Sequence, residues 1–180
     1  GANNTAVGSD ALLANTTGAN NVAVGFGSAD ALTTGNSNVA MGYNSLGSDT
    51  LGDRAVAIGL NALASQNFTS STDNYNIGIG YAAGAAVTTG LYNTLIGGLA
   101  GDAQTTADHN VALGVSTLTT NTKANKNVAI GSNALSIFNV TSDTDTYNTA
   151  VGYGAGAAVT TGVQNTLIGG LAGDALVDAH

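Results

Sequence analysis

The pentapeptide Asn-Val-Ala-(aliphatic)-Gly occurs four times, at 21–25, 38–42, 110–114 and 127–131, and looser copies fill the intervals. Its closing glycines are Gly8, Gly25, Gly42, Gly59, Gly80, Gly97, Gly114, Gly131, Gly152 and Gly169, whose numbers step by 17, 17, 17, 21, 17, 17, 17, 21 and 17. A short fixed period constrains a chain more than local propensity does, because each repeat buries its apolar face only by stacking on the next. Ten stacked coils follow.

The steps add to a second period of 72, which lays 81–103 over 153–175 with twenty of 23 positions identical. A duplicated four-coil block explains that identity, and no shift in composition marks a boundary inside residues 1–180. The chain reads as a single repeat domain.

With each closing glycine as position 0, position −1 is always aliphatic, position −2 is Ala in seven coils, and position −3 is Val, Ile or Thr. Three such residues in a row predict a short strand. Neighbouring side chains in a strand point to opposite faces. This pattern therefore predicts two faces that both require burial, with the aliphatic residues filling the coil and the Ala row packed against another chain. The glycine should end the strand where φ is positive or backbones approach closely. A second apolar pair, as in Ala62-Leu63, predicts a second short strand or a tight corner, and Thr-Thr-Gly units such as Thr16-Thr17-Gly18 predict turns. Frequent Gly, Asn and Thr argue against helix, and the absence of Pro suits coils that all donate backbone hydrogen bonds to their neighbours.

All 11 acidic residues are Asp, against three basic residues, for a net charge of −8. Such a surface repels phosphate backbones and anionic lipid, so neither nucleic-acid binding nor membrane insertion by this segment is expected. There is no Cys, so neither a disulfide framework nor a thiolate metal site is available. No apolar run reaches the length of about 18 residues or more that reads as a membrane-spanning helix. The two histidines, His109 and His180, build no Ser-His-Asp, zinc or paired-carboxylate site, and the Gly-rich GGLAGDA stretches lack a following Lys. No cofactor, metal or enzymatic chemistry is expected.

The Asn-x-Ala-(aliphatic)-Gly coils resemble the head repeats of trimeric autotransporter adhesins and the Asn/Thr/Gly-rich repeats of phage tail fibres and bacterial surface fibres. The resemblance covers nearly the whole chain. It implies a left-handed parallel β-roll, three such rolls about one axis, and a place on an extended extracellular or virion fibre at a cell surface. The coils here are longer than in the adhesin heads, and Val, Thr or Ile rather than Ser follows the Asn. Expected partners are further copies of the chain, as a homotrimer that could continue end to end, and a host-surface protein or glycan. The alternative is a monomeric solenoid that binds ice or glycan surfaces.

Asn opens nine of the ten motifs, at Asn4, Asn21, Asn38, Asn76, Asn93, Asn110, Asn127, Asn148 and Asn165, with Ala55 the exception. In register, their amides should hydrogen-bond coil to coil as a structural ladder. Phe26, Tyr43, Tyr81 and Tyr153 directly follow closing glycines and should line one edge, where they could stack on sugar rings. Thr pairs at 16–17, 33–34, 88–89, 105–106 and 160–161 would suit ice only if they faced outward together. The extra residues of the long coils fall in 67–74 and 139–146 and should bulge as loops. Each loop carries a sequon, at Asn67 and Asn139, and the second adds Asp143 and Asp145, too few carboxylates for a calcium loop.

Overall fold

The computed structural model describes residues 1–178 and is all-β, a parallel β-solenoid with no helix. His180 lies outside the described residues. Each coil contributes one short strand: Thr5–Val7, Val22–Val24, Val39–Met41, Val56–Ile58, Ile77–Ile79, Thr94–Ile96, Val111–Leu113, Val128–Ile130, Thr149–Val151 and Thr166–Ile168. They form one ten-stranded parallel sheet in chain order. Pairing is in motif register throughout, so Val24 lies beside Met41, and Ala57 beside Gly78. At a strand separation of ~4.8 Å the stack is roughly 45 Å tall. The extra residues of each long coil do more than bulge. They form Thr72–Asp73 and Thr144–Asp145, which pair in parallel with Gly52–Asp53 and Ala124–Asn125 as two small second sheets.

The strand faces are the reverse of the sequence expectation. Ala23, Ala40, Ala57, Ala112, Ala129 and Ala150 are fully buried inside the coils, and the aliphatic residues on either side of them point out. The reason is space. Leu12, Leu46, Leu63, Leu118 and Leu135 at position +4, with Leu32, Val87, Phe138 and Val159 at position +7, already fill the narrow interior, which leaves position −2 room for a methyl group. Where position −2 grows, position +4 shrinks. Leu95 stands opposite Gly101, and a Cβ on Gly101 would come within 2.8 Å of Leu95 Cδ2. In the preceding coil Gly78 and Gly84 are both glycine, and Leu63 and Leu95 fill the space from above and below: a Cβ on Gly84 would meet Leu95 at 2.7 Å and Leu63 at 2.8 Å. Interior volume is conserved along the stack, as close packing requires.

The apolar pair after the glycine forms a corner, not a strand. Positions +2 and +4 take positive φ in every coil, for example Asn61 at 57° and Leu63 at 48°. Left-handed non-glycine residues cost about 1 kcal/mol each, and here the cost is offset by hydrogen bonding along the stack. Leu63 N–H donates to Ala83 O at 3.0 Å, and Ala29 N–H to Ser45 O at 2.9 Å. The closing glycines have φ of 120–140°, as the sequence led us to expect, and a Cβ on Gly42 would lie 2.6 Å from Gly59 O.

Candidate interaction surface

The nine motif asparagines are buried or half-buried along one inner edge. Oδ1 of Asn4, Asn21, Asn38, Asn76, Asn93, Asn110, Asn127 and Asn148 each accepts the backbone N–H at the same position one coil on, at 2.8–3.1 Å. The Nδ2 groups of Asn4, Asn21, Asn38, Asn76, Asn93, Asn110 and Asn148 donate to turn carbonyls of the next coil, as Asn21 does to Gly35 O (2.8 Å) and Asn93 to Ala107 O (2.7 Å), whereas Asn127 donates to Asn125 O at 3.1 Å. The ladder therefore runs chiefly from amide to backbone. Direct amide pairs occur at Asn93–Asn76 (3.3 Å), Asn127–Asn110 (3.1 Å) and Asn165–Asn148 (3.1 Å). Ala55 can offer Asn76 no acceptor, and Asn74 Oδ1 of the same coil takes that N–H at 2.9 Å.

Outward of this edge the sheet presents two aliphatic rows over its full length. One row runs Val22, Val39, Val56, Ile77, Val111, Val128, with Thr in the remaining coils. The other runs Val7, Val24, Met41, Ile58, Ile79, Ile96, Leu113, Ile130, Val151, Ile168. These side chains are half-buried by one another or exposed. Met41 is 40% and Leu113 43% exposed in mid-stack, where neighbouring coils cover them on both sides.

Two columns flank these rows. Position +1 holds Phe26, Tyr43, Tyr81 and Tyr153, all exposed, with the Phe26 and Tyr43 rings stacked at 5.5 Å. Position −5, just before the motif Asn, holds Arg54, Tyr75, Tyr92, His109, Lys126 and Tyr147 in six consecutive coils. Tyr75 and Tyr92 stack at 5.9 Å, and Tyr92 and His109 at 4.8 Å. The Arg54 guanidinium sits 5.6 Å from the Tyr75 ring, and Lys126 Nζ 5.3 Å from that of Tyr147. All six take positive φ, 50–64°, a conformation that Asn or Gly enters more cheaply. Sequence reasoning missed this column. Its signal is the residue before each motif Asn, which varies in type and so drops out of a consensus.

The remaining candidates serve the stack. Thr16, Thr33, Thr88 and Thr105 each donate their hydroxyl to a carbonyl of the next coil at 3.0–3.1 Å, so the first Thr of each pair is a turn residue. Asn67 and Asn139 accept hydroxyls from Thr50 and Thr122 at 3.0 and 2.8 Å. Asp145 accepts Lys126 at 2.6 Å, which holds its carboxyl below the ordinary range, and Asp143 accepts Asn125 Nδ2 at 2.6 Å. Among the described residues no three His, Asp or Glu side chains stand together as metal ligands, and no helix is long and apolar enough to cross a membrane.

Compared with known proteins, the chain matches no family model, no curated protein and no solved structure. The functional reading rests on the surface itself.

Proposed function

We propose that this chain is a structural segment of an extracellular fibre, built by lateral association of parallel copies through the outward aliphatic face of the sheet. Three is the copy number that the adhesin resemblance implies. The observation that carries the reading is the continuity of that face. Short strands and ten coils make the aliphatic rows alone roughly 10 Å by 45 Å. The flanking columns bring the patch to roughly 700 Å², close to the ~800 Å² per partner of a standard interface. Patches of that size on monomers mark interaction sites. The association face is thus the one opposite to the Ala row that strand alternation suggested, while the argument from two apolar faces keeps its force. A solenoid bundled in this way supplies reach and stiffness, and displays its outer loops several times over.

The test is the solution mass by light scattering behind a sizing column. Three times 17.5 kDa supports the reading, and a lone 17.5 kDa particle at every concentration overturns it. A charge in the aliphatic rows, Ile79→Asp, should dissociate the assembly without unfolding the coil, since Ile79 points away from the interior.

A further inference from the structure

Gly98 and Gly170 occupy position +1, where other coils carry Phe, Tyr, Leu, Val or Ser. Nothing in a single chain asks for glycine there. A Cβ on either residue would meet no atom within 4 Å, and neither has φ in the left-handed range. Gly in such a place gives up backbone entropy for no local return, so the small size has to answer to something outside the chain.

The other flank shows what that is. At the same height as Gly98 stands Tyr92, and at the height of Gly170 stands Gln164, both exposed. The relation inverts lower in the stack. Asn20 faces the height of Phe26, and Ser37 that of Tyr43. Large residues on one flank coincide with small ones on the other in these coils, although the aliphatic rows separate the two flanks within one chain. Copies related by a threefold or higher rotation axis make heterologous contacts, in which one flank of a protomer meets the opposite flank of its neighbour. A size match between opposite flanks at equal height, as in these four coils, is what such a contact favours.

We infer that, on the lateral-association reading above, the column before the motif Asn packs against the column after the closing glycine of a second copy lying parallel and in the same register, with Tyr92 seated over Gly98. All six tyrosines of the chain lie in these two columns, and Tyr is enriched at the energetic centres of interfaces. In the two long coils both positions hold Tyr, as in Tyr75 and Tyr81, and there the rings of neighbouring copies pair.

The test is a size swap, read by sizing-column light scattering over a dilution series. Gly98→Tyr should raise the half-dissociation concentration roughly tenfold or more, while circular dichroism of the coil is unchanged. Adding Tyr92→Gly, a change that suits its φ of 59°, should restore assembly. A loss that the second change does not rescue, or no loss at all, overturns the pairing. A wild-type chain that never assembles overturns the lateral-association reading instead, so the two failures are distinguishable. As a second measurement, Tyr92→Cys chains co-expressed with Gly98→Cys chains should form a disulfide-linked dimer under oxidation. Absence of that dimer, in chains that assemble, overturns the pairing as well.

Discussion

Residues 49–76 and 121–148 are the same long coil with its lower neighbour, two copies one four-coil block apart that follow one path with different chemistry. In the first, Asp53 Oδ2 accepts the Ser71 hydroxyl at 2.6 Å; in the second, Asn125 Nδ2 donates to Asp143 at 2.6 Å. The carboxylate has changed ends, and the bond remains. In the first, Ala55 leaves a gap in the Asn ladder that Asn74 fills; in the second, Asn127 is present and position 146 is Thr, whose hydroxyl donates to Asn127 Oδ1 at 2.8 Å. In the first, Gln66 donates to buried Asp49 at 2.7 Å, while Phe68, also buried, stands apart from the main apolar core. In the second, Phe138 is the buried ring, Val140 takes the place of Phe68, and Asn121 replaces the acid. These substitutions come in pairs that conserve a hydrogen bond or a volume. Between these two copies residue types change while the partners exchange with them.

The ladder exchange is the sharpest way to break this comparison. Asn74→Thr alone leaves the buried Asn76 N–H without its acceptor and should cost about 1–3 kcal/mol. Adding Ala55→Asn recreates the second copy's arrangement and should recover most of that loss. Urea denaturation of the two variants reads both numbers. An equally stable single variant would show that the pairing of substitutions is accidental.

The acid exchange comes next. Ser71→Asp sets a second carboxylate against Asp53 and should destabilise by roughly 1 kcal/mol near neutral pH, because like charges in contact disfavour ionisation. Asp53→Asn in the same chain should rescue it. A Ser71→Asp variant with an unchanged urea midpoint would deny that the carboxylate's place matters.

Much of this was legible in the sequence and some was not, for physical reasons. The periods of 17 and 21, the closing glycine and the Asn positions reported the stack directly, because each has to meet itself one coil on. Which side of the strand faces in was not legible from alternation, since Ala and Ile are both apolar and so short a strand has too few positions to reveal a polar face. The discriminating signal was size. Leu95 with Gly101 and Leu167 with Gly173 exchange bulk across the interior, and only residues facing each other would do that. The cation and tyrosine column stayed hidden because a consensus discards variable positions, although its constraint is backbone conformation and not residue type.

A smaller effect separates the buried acid from its neutral counterpart. Burial raises the carboxyl of Asp49 above its ordinary 3.8, against hydrogen bonds from Gln66, Gly52 and Phe68 that lower it. The folded chain therefore binds the proton more tightly than the unfolded chain. The stability this gives is fully present below pH 3.8 and is lost as pH rises through the raised folded value. Copying the second block with Asp49→Asn, Gln66→Phe and Phe68→Val should remove that slope and add about 1 kcal/mol at neutral pH, as replacing buried charge by packed apolar groups often does. Urea midpoints across the acid range up to neutrality decide it, and parallel curves for both chains would mean that Asp49 carries no linkage.

The least effect should come from the one exchange made wholly in solvent. Arg54 donates to Asp73 at 2.6 Å and to the Tyr75 hydroxyl at 2.8 Å; its counterpart Lys126 donates to Asp145 at 2.6 Å and approaches the Tyr147 hydroxyl at 3.3 Å. Both pairs are 40–50% exposed, where ion pairs contribute little and salt screens them. Lys126 holds the Asp145 carboxyl below 3.8, so the contribution of that pair is present above pH 3.8 and is lost as pH falls through the lower folded value. Arg54→Lys should shift Tm by no more than about 2 °C in low salt and by less in high salt. A larger shift that persisted in high salt would mean that the planar fork of Arg54, and not its charge, organises the Tyr75–Tyr92–His109 stack. Arg and Lys would then not be equivalent in the two copies, and the part of the column that Arg54 begins would be more rigid than the part that Lys126 begins.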